Sequence, residues 1–126
     1  MLGSNLADLC PRTRRQSCRR LPFLTDQHLR RILEETVAPA FAVARAELWA
    51  RTRGSPPTAL ARQVAMYLAH VGYGLTITEI GHLFARDRKT VAHACALIED
   101  RRDDAPFDRS LDLLEGVMRL ISPRQA

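Results

Sequence analysis

Between Gly74 and Cys95 the chain has room only for two short helices joined by a tight turn. Thr76 and Glu79 are spaced as a capping box, in which a hydroxyl and a carboxylate each satisfy an unpaired N–H at a helix start. Ile77, Ile80, Leu83 and Phe84 then recur at helical spacing and define one inward face. Asp87 offers a second N-cap, ahead of the stripe Val91, Ala94, Cys95 and Ile98. Gly81 sits where a side chain would push the two helices apart. This is the layout of a helix-turn-helix, and its two narrow apolar faces need further helices to cover them.

The remaining sequence supplies those helices. Thr25 reads as the N-cap of a first helix with Leu29, Ile32, Leu33 and Val37 on one face, which Pro39 should end or kink. A short helix around Arg45–Ala50 brings Leu48 and Trp49, and 51–57 reads as a loop from its Gly, Ser and Pro content. A third helix is expected from Thr58 to Val71, with Leu60, Val64, Tyr67, Leu68 and Val71 inward and Gly72 and Gly74 as its stop. Pro106 should open a closing amphipathic helix with Phe107, Leu111, Leu114, Met118 and Ile121. The expectation is an all-α compact bundle of about six helices over residues 25–122. Residues 1–24, with Pro11, Pro22 and five Arg between 12 and 20, read as a disordered basic tail. Hydrophobic residues at 46% with only 6% aromatics suit a small Ala- and Leu-packed helical core.

Charge points to an anionic partner. The formal charge is +5, and residues 51–93 carry six basic groups (Arg51, Arg53, Arg62, Arg86, Arg88 and Lys89) against Glu79 and Asp87. Residues 94–126 carry five Arg against seven acids, so a basic side should oppose an acidic one. A helix opened by Asp87-Arg88-Lys89-Thr90 can place its first turn in the major groove of DNA. There Arg88 suits guanine O6 and N7, Lys89 the same acceptors or a phosphate, and Thr90 and His93, one turn apart, backbone oxygens.

Other chemistry lacks its residues. There are no paired carboxylates and no nucleophile constellation, so no enzyme is expected. Cys10, Cys18 and His28 lack zinc-finger spacing, Cys95 falls on an apolar stripe, and neither metal nor other cofactor is expected. No apolar run approaches the length of a membrane span, and the N-terminus lacks a secretion signal, so a bacterial cytoplasmic protein at the nucleoid is expected.

The residues also resemble a known family. Arg62-Gln63, Ala65-Met66-Tyr67-Leu68-Ala69, Glu79-Ile80-Gly81, Phe84, Arg86-Asp87, Thr90-Val91 and His93-Ala94-Cys95 match the pattern of the C-terminal helix-turn-helix domain, domain IV, of the bacterial replication initiator DnaA. The resemblance covers about residues 25–122 and implies a Trp-repressor-like helix-turn-helix that binds double-stranded DNA as a monomer. The expected DNA-binding set is Arg51, Arg53, Arg62, Thr76, Asp87, Arg88, Lys89, Thr90 and His93, of which Asp87, Thr90 and His93 match the family pattern directly. Arg51 and Arg53 resemble the family's minor-groove loop, and Arg62 its phosphate-contacting Arg.

The departures fall at the reading positions. Arg88-Lys89 replace the family's His-Thr, and its Gly-Gly before Arg-Asp is shortened to Ala85. A changed donor pattern should change the preferred base pairs, and the added charge should strengthen sequence-independent binding. With 126 residues and no Gly-x4-Gly-Lys-Ser/Thr loop, the chain is expected to be a DNA-reading head without the ATPase. It would regulate replication initiation, competing with or assisting DnaA, or regulate transcription. The other reading is a protein-interaction module that titrates DnaA or one of its regulators, with Trp49 and the acidic C-terminal surface as contacts.

Overall fold

The computed structural model describes residues 25–121. Five α-helices, α1 (Asp26–Phe41), α2 (Pro56–Tyr73), α3 (Ile77–Phe84), α4 (Arg88–Arg101) and α5 (Ala105–Ile121), are joined by short connections, and a 3₁₀ turn (Arg45–Leu48) lies between α1 and α2. There is no strand among the described residues, so the all-α bundle read from the sequence is the fold. The basic tail 1–24 lies outside the described residues.

The centre of the bundle is α2, which packs against α1, α3, α4 and α5. Its sequence permits this because Ala61, Ala65 and Ala69 are fully buried small residues that let neighbours approach, while Val64, Tyr67, Leu68 and Val71 fill the space between them. Leu29, Leu33 and Val37 of α1, Ile80 and Phe84 of α3, and Val91, Cys95 and Ile98 of α4 close the same core. Burial pushes the Cys95 thiol up to about 12, with the Glu99 charge adding to it, so this cysteine is a packing residue.

Most helix starts are where the caps predicted them. Thr25 and Thr76 each form a full capping box, with His28 and Glu79 as the reciprocal partners. Three boundaries differ from expectation. Pro39 lies within α1, which runs on to Phe41; the missing N–H falls in the last turn, and Val43 N donates to Ala38 O at 3.0 Å to close the helix. Pro56 and Pro57 belong to the first turn of α2 rather than to the loop, since the N–H groups they lack would be unpaired there, and Ser55 is the N-cap. Gly72 is helical, and the stop is Gly74, whose φ of 71° lies in the left-handed region glycine tolerates.

The acidic segment after α4 is turned partly inward. Arg102, with a side chain 3% exposed, donates from Nε to Asp108 at 2.8 Å, from Nη2 to Asp112 at 2.6 Å and from Nη1 to Glu115 at 3.3 Å. Nη1 also reaches the Tyr67 hydroxyl, which itself donates to Glu99. One buried guanidinium therefore fastens the end of α4 to α2 and α5. No helix among the described residues is long and apolar enough to cross a membrane.

Candidate nucleic-acid interface

The α3–α4 pair has the tight turn the sequence announced. Ala85 ends α3 in the left-handed conformation, φ 56°, the place the family gives to glycine. The chain then bends back so that Arg86 N donates to Gly81 O at 2.9 Å. A Cβ on Gly81 would stand 2.7 Å from the Arg86 carbonyl oxygen, so the glycine admits the backbone of the turn itself rather than the neighbouring helix. Asp87 caps α4, its Oδ1 accepting from Thr90 N at 2.8 Å. That backbone donor, followed by the Thr90 hydroxyl, holds the Asp87 carboxyl below the usual range.

The cap sets which residues α4 presents. Val91, Ala94, Cys95 and Ile98 point into the core, leaving Arg88, Lys89, Thr90 and His93 exposed along its first turns. The free N–H groups of this helix start add a partial positive charge beside Arg88 and Lys89. On one flank, α4 faces the loop before α2 across a cleft of about 370 Å³. Arg51, Arg53, Arg62, Arg86, Thr90 and His93 line it, and no carboxylate does. On the other flank, Arg88 and Lys89 border a shallow depression with Thr78 and His82 of α3.

Arg62 is placed differently from Arg51 and Arg53. Those two are exposed, whereas Arg62 is 5% exposed at the floor of the cleft. Its Nε donates to Leu48 O at 3.1 Å, Nη1 to Arg53 O at 3.1 Å and Nη2 to Glu47 O at 2.6 Å. Burial, and after it the adjacent Arg86 charge, lowers its pKa, opposed by Glu47. The guanidinium is spent on three backbone carbonyls, so its first task is to hold the 3₁₀ turn and the basic loop. Thr76 is exposed at the start of α3, the opposite end of that helix from the turn into α4, and lines neither depression.

The structure thus gathers Arg51, Arg53, Arg62, Thr90 and His93 around one cleft, with Asp87, Arg88 and Lys89 around the depression on the other flank of α4 and Thr76 apart. Sequence reasoning assigned no site role to Arg86 or to Leu97, a cleft residue 37% exposed at the far end of this face. Arg86 was visible as a basic residue directly before the N-cap; nothing in the sequence tells that its side chain turns back to the loop. Trp49 is engaged within the fold: Nε1 donates to Glu34 at 2.6 Å and its ring lies 4.6 Å from Phe84. Among the described residues, no group of three His, Cys, Asp or Glu is placed to hold a metal.

Comparison with known proteins agrees with this geometry. Residues 31–98 match the family model of the bacterial dnaA protein helix-turn-helix. The chain is similar to the chromosomal replication initiator protein DnaA of Paraburkholderia phymatum, 36% identical over 89 residues that cover 69% of this chain and 17% of that protein. DnaA of Bordetella pertussis is 37% identical over 89 residues, 69% of this chain and 19% of that protein. DnaA of Lachnoclostridium phytofermentans is 34% identical over 85 residues, 66% of this chain and 18% of that protein. The chain therefore spans less than a fifth of the length of these relatives.

Proposed function

The chain belongs to the bacterial DnaA helix-turn-helix family, and we propose on that footing that it binds double-stranded DNA in the control of replication initiation. In this reading the first turn of α4 enters the major groove, and the loop carrying Arg51 and Arg53 follows the neighbouring minor groove. Arg88 and Lys89 read base edges, while Thr90 and His93 hold backbone oxygens of the strand that crosses the cleft. Asp87 keeps α4 capped and aimed, and Thr76, exposed where α3 begins, takes a phosphate outside the cleft in this reading. The single observation that carries the reading is the acid-free cleft between the basic loop and the exposed face of α4.

Arg88 and Lys89 stand where the family has His and Thr, so the reading predicts an altered preference rather than lost binding. Selection of duplexes from random DNA tests this. Wild type should recover sites with guanine opposite Arg88, and Arg88→His with Lys89→Thr should move the selected sequence toward the initiator box. Identical sites from both proteins would mean that these two residues do not face bases. Arg88→Ala should lower discrimination by about 1–3 kcal/mol.

A second reading, an interaction module that binds DnaA or one of its regulators, draws on α5. Leu113 and Leu120 are 71% and 82% exposed there, on a helix that contributes nothing to the cleft. Pull-down of purified DnaA by a protein that binds no duplex would favour it.

A further inference from the structure

The basic loop and the helix-turn-helix come from separate stretches of the chain, yet one side chain fastens them together. Arg86, in the turn between α3 and α4, donates from Nη2 to Ala50 O at 2.7 Å, across a separation of 36 residues. Its Nη1 donates to Phe84 O at 3.1 Å. One planar guanidinium therefore spans the carboxyl end of α3 and the last residue before Arg51. Ala50 offers no side chain to grip, so its carbonyl is the available handle.

The neighbouring contacts reinforce the same seam. The Trp49 ring packs on Phe84, Arg30 lies over that ring at 4.1 Å, and Arg30 Nη1 donates to Leu83 O at 3.3 Å. At the other end of the loop, Arg62 grips the Arg53 carbonyl. The loop is thus tied at both ends, and its upstream tie is to the turn that aims α4. The start of α4 does not need the Arg86 side chain, because the Arg86 backbone N–H on Gly81 and the Asp87 cap hold it.

We infer that Arg86 is a positioning residue for DNA recognition, fixing the Arg51–Arg53 loop at a set distance from α4 so that both engage one duplex as a rigid caliper. This rests on the DNA-binding reading above and deepens it. Arg86 acts here through the loop rather than by touching DNA. A lysine would keep the charge but lack the planar fork that spans two carbonyls.

A double-mutant cycle tests it. Affinity for an initiator-box duplex is measured for Arg53→Ala and Arg88→Ala, each alone and combined with Arg86→Gln. In the wild-type background Arg53→Ala should weaken binding about tenfold, and in the Arg86→Gln background less than about threefold, while Arg88→Ala loses the same factor in both. Arg86→Lys should uncouple the loop as Arg86→Gln does; full rescue by lysine would mean a direct phosphate contact and overturn the inference. Without DNA, backbone NMR order parameters over residues 51–54 should fall in Arg86→Gln from near the rigid value of about 0.85 to below about 0.6, with α2 and α4 unchanged. Equal losses from Arg53→Ala in both backgrounds, or unmoved order parameters at 51–54, overturn it. A wild-type protein that binds no duplex removes the DNA reading and this inference with it, while the order parameters still decide whether Arg86 fixes the loop.

Discussion

Arg102→Met is the perturbation whose consequences the structure defines most fully. Methionine roughly keeps the volume of the side-chain stem and removes every donor. Glu115, whose side chain is 9% exposed, then loses the cation that compensates its burial. Breaking one side of a buried pair costs about 3–5 kcal/mol, because the surviving charge stays desolvated. Asp112 adds little, since its side chain is 58% exposed and water screens the pair to at most about 1 kcal/mol. A domain of this size has about 5–15 kcal/mol of stability in all. At about 4–8 °C per kcal/mol, the melting midpoint at neutral pH should fall by at least about 12 °C, read by circular dichroism at 222 nm.

The pH dependence gives a sharper test of the same reasoning. Burial already pushes the Glu115 carboxyl up, and the Arg102 charge opposes that rise. Removing Arg102 lets it rise further. A carboxyl whose folded pKa exceeds its unfolded value takes up a proton more readily in the folded state, so its cost fades as pH falls through the folded pKa. The stability gap between Arg102→Met and wild type should therefore narrow between pH 7 and about pH 5. Arg102→Met combined with Glu115→Met should recover most of the loss, since neither charge is then stranded. A midpoint shift under about 4 °C, or a gap that is the same at both pH values, would refute the argument. Well below its midpoint the single variant should bind DNA as wild type does, because no member of this network lines the cleft.

Three further substitutions separate the turn from the loop. Gly81→Ala drives a methyl to 2.7 Å from the Arg86 carbonyl oxygen, a backbone atom that cannot swing away, and should cost about 1–3 kcal/mol in chemical denaturation. Ala85→Gly relieves a left-handed alanine at φ 56°, and after the entropy glycine adds to the unfolded chain it should stabilise by about 0.5–1 kcal/mol. Arg62→Met leaves the carbonyls of Glu47, Leu48 and Arg53 without their donor and should lower stability by about 2–3 kcal/mol while weakening binding to all duplexes alike. A loss of DNA affinity in Arg62→Met at unchanged stability would instead make it a phosphate contact.

What the sequence discloses here is largely what local rules decide. The Thr25, Thr76 and Asp87 caps and the apolar stripes of α1, α3 and α4 are properties of single helices, and reading them one helix at a time was sufficient. The boundary differences at Pro39, Pro56 and Gly72 arise because helix ends tolerate residues that helix middles do not. The exposed residues of α4 followed from its stripe. The interior roles of arginine did not. Arg62, Arg86 and Arg102 look like solvent-facing charges in a sequence, yet each is turned onto backbone or carboxylate oxygens that come from other elements. Their partners lie up to 36 residues away, beyond the reach of any periodicity.

The most direct test of the account is a fluorescence-anisotropy titration of duplexes carrying an intact or scrambled initiator box, at two or more salt concentrations. Arg51, Arg53, Arg88 and Lys89 are all exposed, and if the four meet one duplex, affinity should fall with salt at a log–log slope of about −3 to −5. The two duplexes should differ less for this chain than for Arg88→His with Lys89→Thr. Absence of binding to either duplex, or affinity indifferent to salt, would contradict the claim that the cleft and the exposed turn of α4 form a DNA interface.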